Sequence, residues 1–427
     1  MPDCPNRLAA EAYQGVVEET AMLGARGARN LNMYFRPTWL GALTVAAMTW
    51  LAACSTNPGS LFGDKPFGET PPAASPGSEI GTGQIKIGLI LPLSAAGNAG
   101  VAAQSLKNAA EMAIAERDGQ NIRLLVKDDG GTQQGSQAAA QQAVDEGAEL
   151  LLGPLFGHSV GGVAGVARAK GIPVIAFSTN ADVAASGVYL LSFLPESDVD
   201  RIVAFAVTNG KRSFAALLPD NAYGTVVEAA FKQMVPRRGG RIVALERYPQ
   251  DPSRLPASVR QVAQAAGRVD SIFIPDGSDV VPAVVQALAS SGVNTRRLQL
   301  LGTGLWDDPR IFANPSLQGG WYAAPDSTGF RNFSGRYRNR YGQDPARAAT
   351  LAYDAVTLII ALAKTQGERR FSPEVLTNSA GFAGVDGIFR FRPDGTNERG
   401  LAVMRVTATG GEVVSPAPRA FAAPATR

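Results

Sequence analysis

The rhythm of apolar and polar positions changes sharply at Ile85. Ile85-Lys86-Ile87-Gly88-Leu89-Ile90-Leu91 is a short, branched, mostly apolar run, which predicts a buried strand, and the Ala-rich pattern from Val101 to Glu116 predicts a helix after it. Strand and helix then alternate. Ile122 to Lys127, Leu150 to Leu152 and Pro173 to Phe177 read as strands, and Gln133 to Glu146 and Ser159 to Lys170 as helices. Such repetition implies a parallel sheet covered on both faces.

The alternation restarts after Val188 to Leu194. A helix from Asp198, a strand Phe214 to Leu218, and a helix opened by Thr225 and Glu228 as a capping box begin a second unit. It continues through strand Ile242 to Tyr248, helix Leu255 to Ala266, strand Ser271 to Ile274, helix Val280 to Ser290 and strand Leu298 to Leu301. Two consecutive α/β units of similar size imply two lobes with a cleft. Ligands of open α/β sheets bind beyond the carboxyl ends of the strands, so the loops after each strand are the candidate site.

Upstream, Arg36 precedes an apolar run from Trp39 to Ala53 that ends in Leu51-Ala52-Ala53-Cys54. The run is shorter than the roughly 20 residues that span a bilayer. The pattern resembles a bacterial lipoprotein signal peptide over 33–53, with Cys54 as the lipidated residue and 1–32 as an overlong upstream start. Residues 54–83, rich in Pro, Gly, Ser and Thr, are expected to form a flexible tether. The expected location is the cell envelope, facing the periplasm, and Ser55 after the Cys favours the outer membrane.

Composition narrows the chemistry. A net charge of +3 gives no reason to expect nucleic acid, and two cysteines with one histidine leave little for a metal site, so no cofactor or metal is expected. Gly157-His158-Ser159-Val160-Gly161 matches the G-x-S-x-G elbow of esterases, yet the only histidine lies inside the motif, where it cannot serve as the separate base of a triad. No catalytic residue is assigned and no enzyme is expected.

At the strand-end loops, Pro92-Leu93-Ser94, Leu152-Gly153-Pro154, Phe177-Ser178-Thr179-Asn180 and Asp220-Asn221-Ala222-Tyr223-Gly224 are placed as in Leu/Ile/Val-binding proteins. Tyr341-Gly342, Ala352-Tyr353-Asp354-Ala355 and Gly384 to Arg392 extend the resemblance. It implies an α/β, two-lobed type I periplasmic binding protein, each lobe a parallel sheet flanked by helices, with three inter-lobe crossings. Residues 84–195 plus 327–368 are expected to form the first lobe, 196–326 plus 369–410 the second, and 411–427 a flexible tail.

The resemblance also suggests a ligand. Ser159, at the start of a helix, and Ser178 and Thr179, at a strand end, would hold its carboxylate and ammonium, with Ser94 to Asn98 as a neighbouring wall. Each has a plainer reading, an N-cap for Ser159 and a solvated turn for the other two. The second lobe lacks the acid usual for an ammonium: its loop reads Gly302-Thr303-Gly304-Leu305-Trp306, with no acid until Asp307. Asp276 is the substitute, and Tyr223 and Trp306 are candidate walls, Trp306 equally a core residue. Two functions follow. One is a solute-binding lipoprotein delivering an amino acid or similar small polar ligand to an ABC transporter permease. The other is an activator lipoprotein of a penicillin-binding protein, a family of the same fold with similar Leu-Gly-Pro-Leu-Phe and Phe-Ser turns.

Overall fold

The computed structural model describes residues 78–249 and 254–421. The signal, Cys54 and most of the tether therefore lie outside the described residues. The first sheet comprises β1 (Glu79–Ile80), β2 (Ile85–Leu91), β3 (Ile122–Asp128), β4 (Leu150–Leu152), β5 (Val174–Ala176) and β6 (Val188–Leu190), in the order β1-β3-β2-β4-β5-β6. All its pairings are parallel except that of β1 with β3. Between the strands run α1 (Asn98–Glu116), α2 (Gln133–Asp145) and α3 (Gly157–Lys170). Val160 and Val163 of α3 and Ala139 and Ala143 of α2 cover one face of the sheet, and Ala102, Leu106 and Ala110 of α1 cover the other.

The chain crosses after β6 into α4 (Pro195–Thr208), β7 (Ser213–Pro219), α5 (Ala222–Arg237), β8 (Arg241–Tyr248), α6 (Leu255–Ala265), β9 (Ser271–Phe273), α7 (Val281–Ser290), β10 (Gln299–Gly302), α8 (Pro309–Phe312) and β11 (Trp321–Ala324). It returns to the first lobe as α9 (Ser327–Tyr341), α10 (Ala349–Thr365) and α11 (Pro373–Leu376). A small antiparallel sheet follows, made of β12 (Phe382–Gly384), β13 (Gly387–Phe391) and β14 (Asn397–Arg399). The third crossing leads to β15 (Ala402–Thr407) and β16 (Gly410–Ser415), which complete a second sheet of order β16-β15-β11-β10-β9-β7-β8. This is the two-lobed type I periplasmic binding fold.

Four expectations need correction. The third crossing falls after Arg399, not at 368: Phe389 and Phe391 of β13 pack into the first lobe's core, and Asn397 Nδ2 donates to Ser192 O at 2.8 Å. Residues 411–415 belong to an edge strand rather than a flexible tail. The tether ends before β1, whose Ile80 pairs with Leu124. Helix α5 starts at Ala222, capped by Asn221 Oδ1, which accepts from Gly224 N at 2.8 Å. Thr225 lies inside that helix, and Glu228 instead pairs with Lys232 and Arg247.

Along α9, Phe333, Tyr337 and Tyr341 recur every four residues and form one stripe that faces the first lobe's core. Phe333 and Tyr337 are fully buried, and Tyr341 Oη donates to Asn108 O at 2.7 Å. The interleaved arginines face outward in ion pairs with Glu116, Asp344 and Glu111, pairs that contribute little individually at a surface.

Candidate functional site

On the first lobe the strand ends converge on the start of α3. Gly157 lets that start approach the loop after β5: a Cβ there would lie 3.2 Å from Ser178 Oγ and 3.2 Å from Asn180 Cβ. Ser159 is fully buried in the first turn of α3, whose N-cap is Phe156, so the capping reading of its hydroxyl does not apply. Its Oγ has no hydrogen-bond partner among the described residues. A buried hydroxyl without a partner costs free energy, and at a helix start, beside N–H groups that lack intrahelical acceptors, it suits an anion. Ser178 is likewise buried, its Oγ accepting from Asn180 N at 3.1 Å, and Thr179 beside it is half-buried.

The neighbouring wall is held by carboxylates at the end of β3. Ser94 is exposed and its N donates to Asp128 Oδ1 at 3.2 Å, while Asn98, also exposed, opens α1. Burial acts to raise the Asp128 carboxyl, but hydrogen bonds from Ser94 and from the Gly130, Ser94 and Leu93 amides outweigh it and hold it below the usual range. Asp129 moves the other way. Burial and the charge of Asp128 push it up to about 6, against the Gly131 amide and His158. His158 Nε2 lies 2.8 Å from Gly131 O, the geometry of a donor to a carbonyl, and the ring stacks on Phe156. The ring is thus engaged outside any serine triad.

The facing loops of the second lobe are laced together. Tyr223 Oη and Thr303 Oγ1 lie 3.0 Å apart, Tyr248 Oη donates to Asp276 Oδ2 at 2.6 Å, and Ser278 Oγ donates to Asp308 Oδ2 at 2.8 Å. Asp276, only 8% exposed, also accepts from Gly277 N at 2.7 Å. Burial, with Asp276 alongside, raises the Tyr248 hydroxyl well above its ordinary range, so it remains a donor. Trp306 is fully buried in the second lobe's core, its Nε1 donating to Ile274 O at 3.1 Å. Of its two readings the core one describes its place, and it forms no wall of the cleft.

A separate cavity of about 470 Å³ opens where the chain crosses between lobes, lined by Phe193, Phe330, Arg331 and Arg347 from the first lobe and by Asp307 and Phe312 among others from the second. Sequence reasoning noticed Asp307 only as a displaced acid. The spacing of aromatics along α9 puts Arg331 on a solvated face, and its meeting with Asp307 depends on the second crossing.

Comparison with known proteins agrees with this architecture. The periplasmic binding protein family matches residues 84–412, and the chain belongs to that family, whose members are proteins of the cell envelope. A branched-chain amino acid ABC transporter protein from Rhodospirillum rubrum superposes with a TM-score of 0.69 at 20% identity, covering 77% of this chain and 99% of that one. A substrate-binding protein from Desulfitobacterium hafniense in complex with Leu gives 0.57 at 19%, covering 77% and 99%. A solute-binding protein from Rhodopseudomonas palustris BisB5 in complex with 3,4-dihydroxybenzoic acid gives 0.54 at 19%, covering 78% and 98%. In sequence, an uncharacterised protein of Rickettsia prowazekii is 24% identical over 138 residues, 32% of this chain and 37% of that protein. The match thus spans little more than a third of that relative's length.

Proposed function

We propose that this chain is a lipid-anchored solute-binding protein of the cell envelope that holds a small carboxylate ligand between its lobes, for delivery to an ABC transporter. The observation that carries the reading is the Ser159 hydroxyl, buried without a partner at the start of α3 and flanked by the Ser178–Asn180 loop. A ligand carboxylate there would supply the missing acceptor and meet the N–H groups of the helix start. Ser178 and Thr179 would complete the first-lobe contacts, with Ser94 and Asn98 beside them and Tyr223 opposite. Two of the neighbours with named ligands hold leucine and 3,4-dihydroxybenzoic acid, which share a carboxylate. Acylated Cys54 would keep the protein at the membrane, with Ser55 favouring the outer one.

Calorimetric titration of the full chain with amino acids and aromatic acids tests this. The double substitution Ser159→Ala, Thr179→Ala should abolish carboxylate binding at the serine wall, read with 3,4-dihydroxybenzoate, while leaving the melting transition cooperative. Unchanged affinity would remove both residues from the site.

One observation favours the second reading, an activator of a penicillin-binding protein. Asp276, the expected ammonium partner, already accepts from Tyr248 and Gly277, and an activator needs no ligand in its cleft. Co-purification of a penicillin-binding protein with the tethered chain, combined with silent titrations, would support it.

A further inference from the structure

At the edge of the second sheet opposite the cleft, four turns lead into adjacent strands. Residues 209–212 open β7, 237–240 open β8, 266–270 open β9 and 291–298 open β10. These strands stand in the order β10-β9-β7-β8. Their registers set the openings in one row: Ser213 pairs with Arg241, Phe214 with Ser271, and Ser271 with Gln299. Hydrogen bonds tie turn to turn. Arg241 N donates to Arg212 O at 2.8 Å, Arg212 N to Asp270 Oδ2 at 2.9 Å, and Gln299 N to Asp270 O at 3.0 Å. With strands about 4.8 Å apart, the row is about 15 Å long.

The row is basic. Arg212 is exposed at the opening of β7, Arg268 at that of β9, and Arg296 and Arg297 at that of β10. Arg237, Arg238 and Arg241 are exposed around the opening of β8. Arg238 is held by Asp200, and Asp270, the one acid in the four turns, is taken up by the Arg212 and Ser213 amides and Ser213 Oγ. The other six arginines make no ion pair among the described residues. The matching edge of the first sheet is balanced instead, with Arg123 on Glu79, Lys364 on Asp118 and Arg370 on Glu149. Compensation of helix dipoles does not explain the difference: of α4, α5, α6 and α7, which end at the arginine row, only α5 has a basic residue in its last turn.

The chemistry of the row selects its partner. Forked guanidiniums match phosphate oxygens. Protein interfaces centre on apolar and aromatic anchors, but the large apolar side chains exposed among the described residues are Val101 and Val413, and neither lies in these turns. We infer that the arginine row is a docking surface for an anionic phospholipid bilayer, a choice of partner that rests on the reading of the chain as anchored at a membrane. The covalent length of chain from Cys54 to Ser78 is at most about 80 Å, and a folded body of this size is roughly 50 Å across, so the anchor and the row can engage one bilayer together. The strands of the second lobe run from the row to the cleft. Docking therefore turns that lobe's ligand-facing loops away from the lipid.

Hydrogen–deuterium exchange on the full chain tests this, with vesicles of phosphatidylcholine alone and of phosphatidylcholine and phosphatidylglycerol in equal parts. Amides of the four turns should exchange severalfold more slowly on the phosphatidylglycerol vesicles than on the neutral ones, and added salt should remove the difference. Arg237→Ser with Arg241→Ser should weaken binding to phosphatidylglycerol vesicles more than about tenfold, at roughly fivefold for each arginine lost. Arg296→Ser with Arg297→Ser should do the same from the other end of the row. All four positions are exposed, so the variants should fold. Identical exchange on the two vesicles, or affinity unchanged in both pairs of substitutions, overturns the docking surface. Slowing by poly-glutamate but not by phosphatidylglycerol overturns it in favour of an acidic protein. Retention on neutral vesicles that is equal in wild type and Cys54→Ser counts against the lipid anchor alone, because the arginine row is read from the difference between the two vesicles.

Discussion

Arg347 holds Asp386 from both sides: Nη2 donates to Oδ1 at 2.6 Å and Nη1 to Oδ2 at 2.9 Å, while Thr350 Oγ1 adds a bond to Oδ2 at 2.6 Å. The guanidinium also lies over Phe193 at 4.5 Å and Phe330 at 4.4 Å from the ring centroids. One side chain thereby joins the first crossing, the start of α9, the entry to α10 and the turn between β12 and β13. Arg399 continues the cluster, its Nε donating to Ser192 O at 2.8 Å and its guanidinium over Phe193. The base of the hinge is therefore a charged and aromatic knot, not an apolar one.

Removing the carboxylate tests that knot. Burial acts to raise Asp386, but Arg347, Arg399 and Thr350 hold it below the ordinary carboxylate range. Asp386→Asn leaves buried guanidinium charge uncompensated and should cost about 3–5 kcal/mol in urea unfolding. A loss under about 1 kcal/mol would mean that the pair is not what secures the hinge. The sign of its pH dependence follows from the depressed folded value. The stabilisation is fully present above the unfolded pKa of about 3.9 and disappears as pH falls through the lower folded value.

Other buried acids act in the opposite sense. Asp198 is pushed up to about 7 by burial, with Glu196 adding to it and the Gly304 amide, which donates at 2.9 Å, opposing. Asp354 also rises to about 7 through burial and the charge of Asp386, against the Val385 amide, Arg399 and Arg347. A raised folded pKa means that the native state holds a proton which the unfolded chain releases. Stability should therefore decline from about pH 4 to about pH 7 and level off above, by at most roughly 1.4 kcal/mol per pH unit for each group. Asp198→Asn should flatten part of that slope in melting temperatures recorded from pH 4 to 8. A slope identical to wild type would show that Asp198 ionises normally.

Trp306 gives a prediction about stability rather than affinity. Gly302 lies so close to it that an added Cβ would fall 2.2 Å from the indole, so Gly302→Ala must displace a fully buried ring. That overpacking should cost about 1–3 kcal/mol, and Trp306→Ala about 3–5 kcal/mol. The Tyr248–Asp276 hydrogen bond does not involve Trp306 and should keep its geometry, so ligand affinity should change little in Gly302→Ala. A variant of wild-type stability with altered binding would restore Trp306 to the cleft.

What was readable in the sequence depended on locality. The strands from Ile85 to Leu301 are short branched runs between turn residues, and their parallel pairing follows from the helices between them. The third crossing was misplaced because Phe389 and Phe391 alternate as they would in any half-buried strand; the lobe they pack on is set by long-range partners such as Ser192 and Asn397. Ser159 stood out through its position after a Gly-containing turn, whereas its lack of a partner is a property of the packed structure. The cap of α5 was misread because Thr225 and Glu228 have capping-box spacing, but Asn221 reaches Gly224 N first. Arg331 and Asp307 lie on different lobes, and nothing in the local sequence pairs them.

Ser159→Ala alone separates a structural hydroxyl from one reserved for a ligand. The side chain is fully buried and its Oγ has no partner, so the unliganded protein bears a desolvation cost that alanine does not. Its removal should raise stability in urea unfolding by roughly 1 kcal/mol, whereas most buried substitutions lower it. Binding of a carboxylate ligand should weaken at the same time, since a hydrogen bond to a charged group contributes about 1.5–3 kcal/mol, or on the order of tenfold to a hundredfold in affinity. Opposite signs in the two measurements mark a group kept for recognition at the expense of stability. Should Ser159→Ala instead destabilise the protein by about 1 kcal/mol or more, the hydroxyl already has a partner in solution and the serine wall is structural.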